Sequence, residues 1–399
     1  MKSPFVLVAI SSSLFAAACA TLVGIPDVPD FGDDGGMDDS SSSGGSASGG
    51  SSSGGSASSG SASGGSNADD ASSSGGSSSG GSASSGSGSG ADASSGGQSS
   101  GSSSGSSTSD GSLPDGSADP GTVMPPNLPT VSGTCPTFSA GSATAITVTA
   151  GTGTLGADVW GGSKSTGAGG PLILYWHGTG SSPSAEVPVA FNTSQVAADG
   201  GLIVGFISTS RTGTTTGNTG DDLWFQSDLA YADQVVACAI QSYNIDPRRI
   251  YTAGYSGGAL QAVYMWFARS GYIASVVSYS GGDATINEAT SQDTSNVAPA
   301  LVAHGGSGVD ELVLDFAQAS ATWETKITNG GGTYIDCNDG GSHTAFFTTR
   351  APNLEPVAYA FLKAHPFGIK PEPYTSLPSG YPTYCTLNGA GTPPVGGAG

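Results

Sequence analysis

From about residue 140 onward, apolar runs of strand length alternate with segments of helical periodicity. That alternation restricts the chain to an α/β fold built on a mainly parallel sheet. Pro171–Trp176 and Leu202–Ser208 are apolar almost throughout, as strands buried on both faces require. Ile250–Tyr255, Ile273–Tyr279, Pro299–Ala303 and Thr333–Asp336 read as further strands, and Ala145–Ala150 with Gly156–Trp160 as an opening antiparallel pair. Helices are expected over Asp228–Tyr243, from Ala259 to Phe267, over Asp315–Thr328 and over Pro356–Ala364. In such sheets, sites form beyond the C-terminal ends of the strands. Four of those ends carry distinctive residues: His177-Gly178-Thr179-Gly180, Ser256, the segment His304 to Asp310, and the segment Cys337 to His343.

The chain before this region has a different composition. From Cys19 to about Gly121 it is almost entirely Ser, Gly, Ala and Asp, without lysine or arginine. Such a sequence buries too little apolar surface to offset the entropy of ordering, so residues 20–130 are expected to be a disordered linker. With Gly/Ser flexibility, roughly 90 such residues reach about 50 Å. Residues 131–387 then form one domain, and 388–399 a flexible tail. Residues 1–19 read as an export signal: Lys2 is a short positive start and Phe5–Ala18 an apolar stretch too short to span a bilayer comfortably. Small residues precede Cys19, which resembles the lipidated cysteine of bacterial lipoproteins; simple cleavage near Ala18 or Ala20 with free secretion is the alternative.

Of the net charge of −21, twelve aspartates lie between residues 20 and 130, leaving 19 acids against nine bases beyond them. An acidic domain without a basic patch argues against nucleic acid and anionic membranes as partners. A monomer is expected, attached to a membrane only through the lipid anchor. In an oxidising compartment Cys135, Cys238, Cys337 and Cys385 are expected to form two disulfides. Of the three pairings, the expected order of elements favours 135–238 and 337–385. The histidines and cysteines lack metal-ligand spacing, so neither metal nor organic cofactor is expected.

Gly254-Tyr255-Ser256-Gly257-Gly258 is a G-x-S-x-G pentapeptide between a strand-like and a helix-like run. A sharp strand-to-helix turn exposes the serine oxygen, and the helix start favours negative charge beside it. A serine hydroxyl needs a base. Of the four histidines, His177 and His304 precede glycines at strand ends and read as turn-shaping, and His365 reads as a surface boundary before Pro366. His343, in a glycine-rich loop after the last strand, remains as the base. The acid that orients it is expected to be Asp310, with Asp283 as runner-up and Asp315 as a helix cap. The amides of Thr179 and Gly257 are candidates for an oxyanion hole. Trp224 either offers an aromatic platform to substrate or packs over a helix start.

Together His177-Gly178-Thr179-Gly180, Ile245-Asp246-Pro247-Arg248-Arg249-Ile250, the pentapeptide, His304-Gly305-Gly306 with Asp310, and Gly340-Gly341-Ser342-His343 resemble the secreted α/β-hydrolases. Within these the chain resembles the esterase group of polyhydroxybutyrate depolymerases, feruloyl esterases and acetylxylan esterases, over roughly residues 135 to 365. The resemblance implies an α/β-hydrolase fold and a serine carboxylic-ester hydrolase acting outside the cell on small or polymeric esters. A peptidase of the same fold, or a tethered binding module that keeps the fold without turnover, are the competing readings.

Overall fold

The computed structural model describes residues 123–213, 222–284 and 296–388. The expected signal segment with Cys19, the linker up to residue 122 and the tail beyond Asn388 lie outside them. The packed region begins earlier than residue 131, because Leu128 lies against the core and Asn127 borders Gly271. This short proline-flanked stretch has no periodicity to betray its packing, so the boundary expected at 130 moves back.

Nine strands form one sheet: β1 (Gly141–Ala150), β2 (Gly153–Gly161), β3 (Gly170–Trp176), β4 (Leu202–Thr212), β5 (Ile245–Tyr255), β6 (Ser275–Tyr279), β7 (Ala300–His304), β8 (Tyr334–Asn338) and β9 (Cys385–Leu387). Their spatial order is β1-β2-β4-β3-β5-β6-β7-β8-β9. The six strands from β4 to β8 run parallel, while β1, β2 and β9 complete the sheet with antiparallel pairings. Among the described residues six α-helices flank it: α1 (Pro183–Ala190), α2 (Thr193–Ala198), α3 (Leu229–Tyr243), α4 (Gly257–Ala268), α5 (Phe316–Asn329) and α6 (Arg350–Ala364). This is the α/β-hydrolase fold.

Strand alternation divides the core into two layers. Along β3, Leu172, Leu174 and Trp176 face one side with residues of α3, α4 and α5, while Ile173 and Tyr175 face the other with α1, α2 and α6. Both layers are apolar, which explains why the central strands read as continuous hydrophobic runs. Several elements depart from expectation, helix α2 among them, which no segment of the sequence announces. Pro356 lies inside α6 rather than at its start: proline is at home in a first turn, but here the helix begins six residues earlier and tertiary packing keeps it. Helix α1 also contains an internal proline, Pro188, and is opened by Ser182, whose Oγ accepts the Ala185 amide at 3.4 Å. Strand β9 is only three residues long, too short for a periodic signal.

The two disulfides join Cys135 to Cys238 and Cys337 to Cys385. The first ties the segment before β1 to α3, and the second ties β8 to β9. In native, non-reduced protein, mass spectrometry is expected to find no alkylatable thiol among these four cysteines. Two or more free thiols there would contradict the bridges. Removing either bridge is expected to cost about 2–5 kcal/mol of stability. Among the described residues no helix is long and apolar enough to cross a membrane.

Candidate active site

Four strand ends, of β3, β5, β7 and β8, meet on one rim of the sheet. At the end of β5 the chain turns directly into α4, and the turn depends on close approach. A Cβ on Gly258 would lie 1.9 Å from the Trp176 carbonyl oxygen, so only glycine lets α4 start this near β3. Ser256, at the apex, is held at φ 55°, ψ −125°, a conformation costing a non-glycine residue on the order of 1–3 kcal/mol. Its amide donates to the Tyr279 carbonyl at 2.9 Å, which fixes the turn against β6. The side chain makes no cap bond to α4 and is therefore left for another partner.

That partner is His343. Its Nε2 lies 2.8 Å from Ser256 Oγ, and its Nδ1 lies 2.8 Å from Asp310 Oδ1. The ring is stacked between two aromatic planes, Phe316 at 4.5 Å and Tyr255 at 5.0 Å between centroids, while the Tyr255 hydroxyl donates to the His343 carbonyl at 3.0 Å. Asp310 is completely buried. Its Oδ2 accepts the Gly305 amide at 2.8 Å and pairs with Arg350 Nη1 at 3.1 Å. Burial alone would raise the Asp310 carboxyl, but the hydrogen bond from His343, the Arg350 guanidinium and the Gly305 amide outweigh it and hold the carboxyl below its usual range. The sequence thus converges Ser256, His343 and Asp310 at hydrogen-bonding distance. A serine so placed can pass its proton to the ring, and the buried carboxylate can hold the ring in the Nδ1–H tautomer.

The other carboxylates near this rim are engaged elsewhere. Asp283 pairs with Lys326 of α5 at 2.5 Å. Asp315 caps α5 through the Gln318 amide at 3.1 Å and also accepts Ser307 Oγ at 2.8 Å. His365 is a correction: it is fully buried, not a surface boundary, bonded to the Phe361 carbonyl at 2.7 Å and to Glu372 at 2.8 Å. Its partner is supplied by a later loop, which nothing in the local sequence announces.

The loop after β3 carries Thr179, whose Oγ1 would lie 2.7 Å from a Cβ placed on Gly257. The two candidate oxyanion residues therefore stand side by side, and Gly257, as the first residue of α4, has an amide without an intrahelical partner. His177 shapes this loop. Its Nδ1 donates to the Gly178 carbonyl at 2.8 Å and its Nε2 accepts the Ser208 amide at 3.2 Å; burial lowers its pKa. Trp224 braces the same loop: it is largely buried, packs edge-on against Trp176, and its indole N–H donates to the His177 carbonyl at 2.8 Å. This is the packing arrangement rather than an open platform. The Trp224 loop is itself fixed by a buried fork in which Arg211 binds Asp228 at 2.6 and 2.8 Å and the Leu223 carbonyl at 2.8 Å.

Several residues of this apparatus carry no signal in the sequence. Arg350 is one, Asp222 another: Asp222 accepts the Gly180 amide and, at 2.6 Å, the Ser208 hydroxyl. Glu186 of α1 is the third. It is fully buried under the Thr179 loop and accepts the Gly178 amide at 3.0 Å and the Tyr175 hydroxyl at 2.9 Å. Burial pushes its carboxyl up to about 8, against the pull of hydrogen bonds from Ser181, Gly178 and Tyr175. A carboxyl whose folded pKa is raised binds more protons folded than unfolded, so its contribution to stability falls as pH rises from about 4.5 towards 8. Glu186→Gln is expected to flatten that decline in a Tm-versus-pH series and to leave kcat within about 10-fold. Glu186→Ala is expected to lower kcat about 100-fold by loosening the loop of Thr179, comparable to losing one oxyanion donor. An alanine variant with unchanged kcat would show that the loop holds its shape without Glu186.

Neither a family model nor a curated protein matches the sequence. Solved structures are similar to this chain at low sequence identity. Native pOPH is 14% identical with a TM-score of 0.48, covering 64% of this chain and 96% of that one. Est1E from Butyrivibrio proteoclasticus is 15% identical with a TM-score of 0.39, covering 55% and 97%. An acylaminoacyl peptidase from Pyrococcus horikoshii is 13% identical with a TM-score of 0.39, covering 55% and 40%.

Proposed function

We propose that this protein is a serine carboxylic-ester hydrolase. The observation that carries the reading is the unbroken chain from Ser256 Oγ through His343 to Asp310, with 2.8 Å at both joints. In this reading Ser256 Oγ attacks the ester carbonyl carbon as His343 Nε2 takes the hydroxyl proton. The amides of Thr179 and Gly257 stabilise the oxyanion, and His343 returns the proton to the departing alcohol. Water then repeats the sequence on the acyl-enzyme, with His343 again as base, and releases the acid. Asp310 stays ionised throughout and balances the imidazolium.

The surface beside the acid supports a reading of the substrate class. Val309, Leu312 and Val313 are each more than half exposed on the loop that carries Asp310. An aliphatic rim of this kind suits an acyl-decorated polysaccharide or a short-chain polyester better than a small charged ester. The two disulfides fit an exported protein, and we place it at the cell envelope through lipidated Cys19 or free outside the cell, acting as a monomer. The test is a panel of p-nitrophenyl esters, acetylated xylan, methyl ferulate and polyester oligomers, run with wild type and Ser256→Ala. Turnover of at least one ester that disappears in Ser256→Ala is the expected result. Absence of turnover together with no labelling of Ser256 by a fluorophosphonate would favour a binding module on the same fold.

A further inference from the structure

Behind the acid loop lies a second cluster of side chains that the proposed ester chemistry does not use. His304 ends β7, Asp336 lies in β8, and Glu324 lies on α5. Val302 pairs with Asp336 across the two strands, and Val302 belongs to the core layer that also contains Trp323 and Ile327 of α5. Strand alternation therefore puts His304 and Asp336 on the face that α5 covers. One ligating atom from each of His304, Glu324 and Asp336 lies within 4.8 Å of the other two.

We propose that His304, Glu324 and Asp336 bind one divalent transition-metal ion, best matched by Zn2+, which ties β7, β8 and α5 together behind the acid loop. Three observations converge on it. The ring of His304 is almost fully buried, and its Nδ1 donates to the Gly305 carbonyl at 2.7 Å. That bond fixes the ring so that Nε2 points at the carboxylates, the orientation that a backbone carbonyl imposes on metal-binding histidines. Nε2 lies 3.1 Å from Asp336 Oδ1, a contact that needs a positive charge between the two atoms, either a proton on the ring or a metal ion. Finally, Glu324 Oε1 is buried without a hydrogen-bond partner. A buried carboxylate oxygen without a donor is costly, and a cation satisfies it together with the other two.

The donor set selects the ion. One imidazole and two carboxylates form a three-ligand zinc site with a position left for water, at about 2.0–2.2 Å per ligand. Tetrahedral ligands at that distance stand about 3.4 Å apart. The 3.1 Å between His304 and Asp336 is already near this spacing, and the Glu324 oxygen lies within 4.8 Å of both. Ca2+ and Mg2+ prefer all-oxygen shells and are poorly served by the ring nitrogen. The ligands are 20 and 12 residues apart in the chain, so no short motif reveals them. Bound there, the ion would also hold the His304 ring and, through its Nδ1 bond, the residue Gly305, whose amide donates to Asp310.

The proposal stands apart from the ester-hydrolase reading, and its test uses binding rather than turnover. Full-length, untagged protein is treated with chelator, dialysed and titrated calorimetrically with ZnCl2, with MnCl2 and CaCl2 in parallel and Tm followed. Wild type is expected to bind one Zn2+ per chain at this site, with a Tm rise of about 5 °C at a hundredfold excess over Kd. Glu324→Gln and Asp336→Asn are each expected to weaken that binding at least about 10-fold, while Ser256→Ala binds like wild type. Near-UV circular dichroism of the metal-free variants checks that they are folded. A wild-type titration no different from that of folded Glu324→Gln would mean that a proton alone bridges the ring and the carboxylates, and would overturn the site. A Tm rise with Ca2+ equal to that with Zn2+ would overturn the transition-metal assignment.

Discussion

Ser256→Ala and His343→Ala are each expected to lower kcat by roughly 10^6-fold with the fold intact, and together by little more than either alone. The reason is that serine and base act on one proton: once either is gone, the other has nothing to exchange it with. Asp310→Asn is expected to cost about 10^4-fold, because an amide beside His343 Nδ1 stabilises the wrong tautomer. The decisive comparison is between aspartates. Asp283 pairs with Lys326 and touches neither Ser256 nor His343, so Asp283→Asn should leave kcat within about 3-fold of wild type. Steady-state kinetics on a soluble p-nitrophenyl ester, with Tm measured alongside, separates these cases. Near wild-type kcat in Asp310→Asn, or collapse in Asp283→Asn, would remove Asp310 from the mechanism. Additive losses in the double variant would mean that Ser256 and His343 do not work as a pair.

Arg350→Met is expected to be the most damaging single change to stability, costing about 3–5 kcal/mol, or roughly 10 °C in Tm. Arg350 is fully buried and is shared by two carboxylates. It pairs with Asp310 at 3.1 Å, binds Asp339 at 2.9 and 3.1 Å, and also donates to Ser280 Oγ. Removing it leaves two negative charges enclosed without a counter-ion, whereas the apolar replacement fills much of the same volume. The effect should depend on pH with a definite sign. The stability contributed by Asp310, whose folded pKa is depressed, is fully present above about pH 4 and disappears as pH falls through the folded value. The gap between wild type and Arg350→Met should therefore narrow on acidification, as measured by urea unfolding between pH 3 and 7. A gap that is small at pH 7, or that widens as pH falls, would show that Arg350 does not hold the carboxylates.

The parts of this architecture visible in the amino-acid sequence are those set by local pattern. Strands buried on both faces are continuous apolar runs, so Leu172–Trp176 and Leu202–Phe206 announce themselves. The turn at Ser256 needs small neighbours within one pentapeptide, and His343 is reached by elimination among four histidines. What stayed hidden depends on partners far apart in the chain. Arg350 and Asp310 are 40 residues apart, and Glu186 reaches the Thr179 loop only because α1 folds back beneath it. A glutamate on a short, proline-containing helix gives no sign that it will be enclosed. The burial of His365 is hidden for the same reason, since its carboxylate partner comes from a loop after the helix. Trp224 illustrates an ambiguity that only coordinates remove: an aromatic in a polar loop can face solvent or turn inward, and its indole N–H finds the His177 carbonyl.

The position of Arg350 at the very start of α6 also sets the point in synthesis at which the acid gains its counter-ion. Ser256 and its turn are complete once β3, β5, β6 and α4 are in place, all before residue 280. Asp310, His343 and Arg350 arrive afterwards, and the guanidinium that neutralises Asp310 is delivered only when the final helix docks. A chain halted during synthesis before residue 350 would contain the serine, the ring and the carboxylate, yet lack the counter-ion that keeps the carboxylate charged in its enclosure. The counter-ion of the acid is thus supplied by the last of the described helices, after the serine, the ring and the carboxylate have already been made.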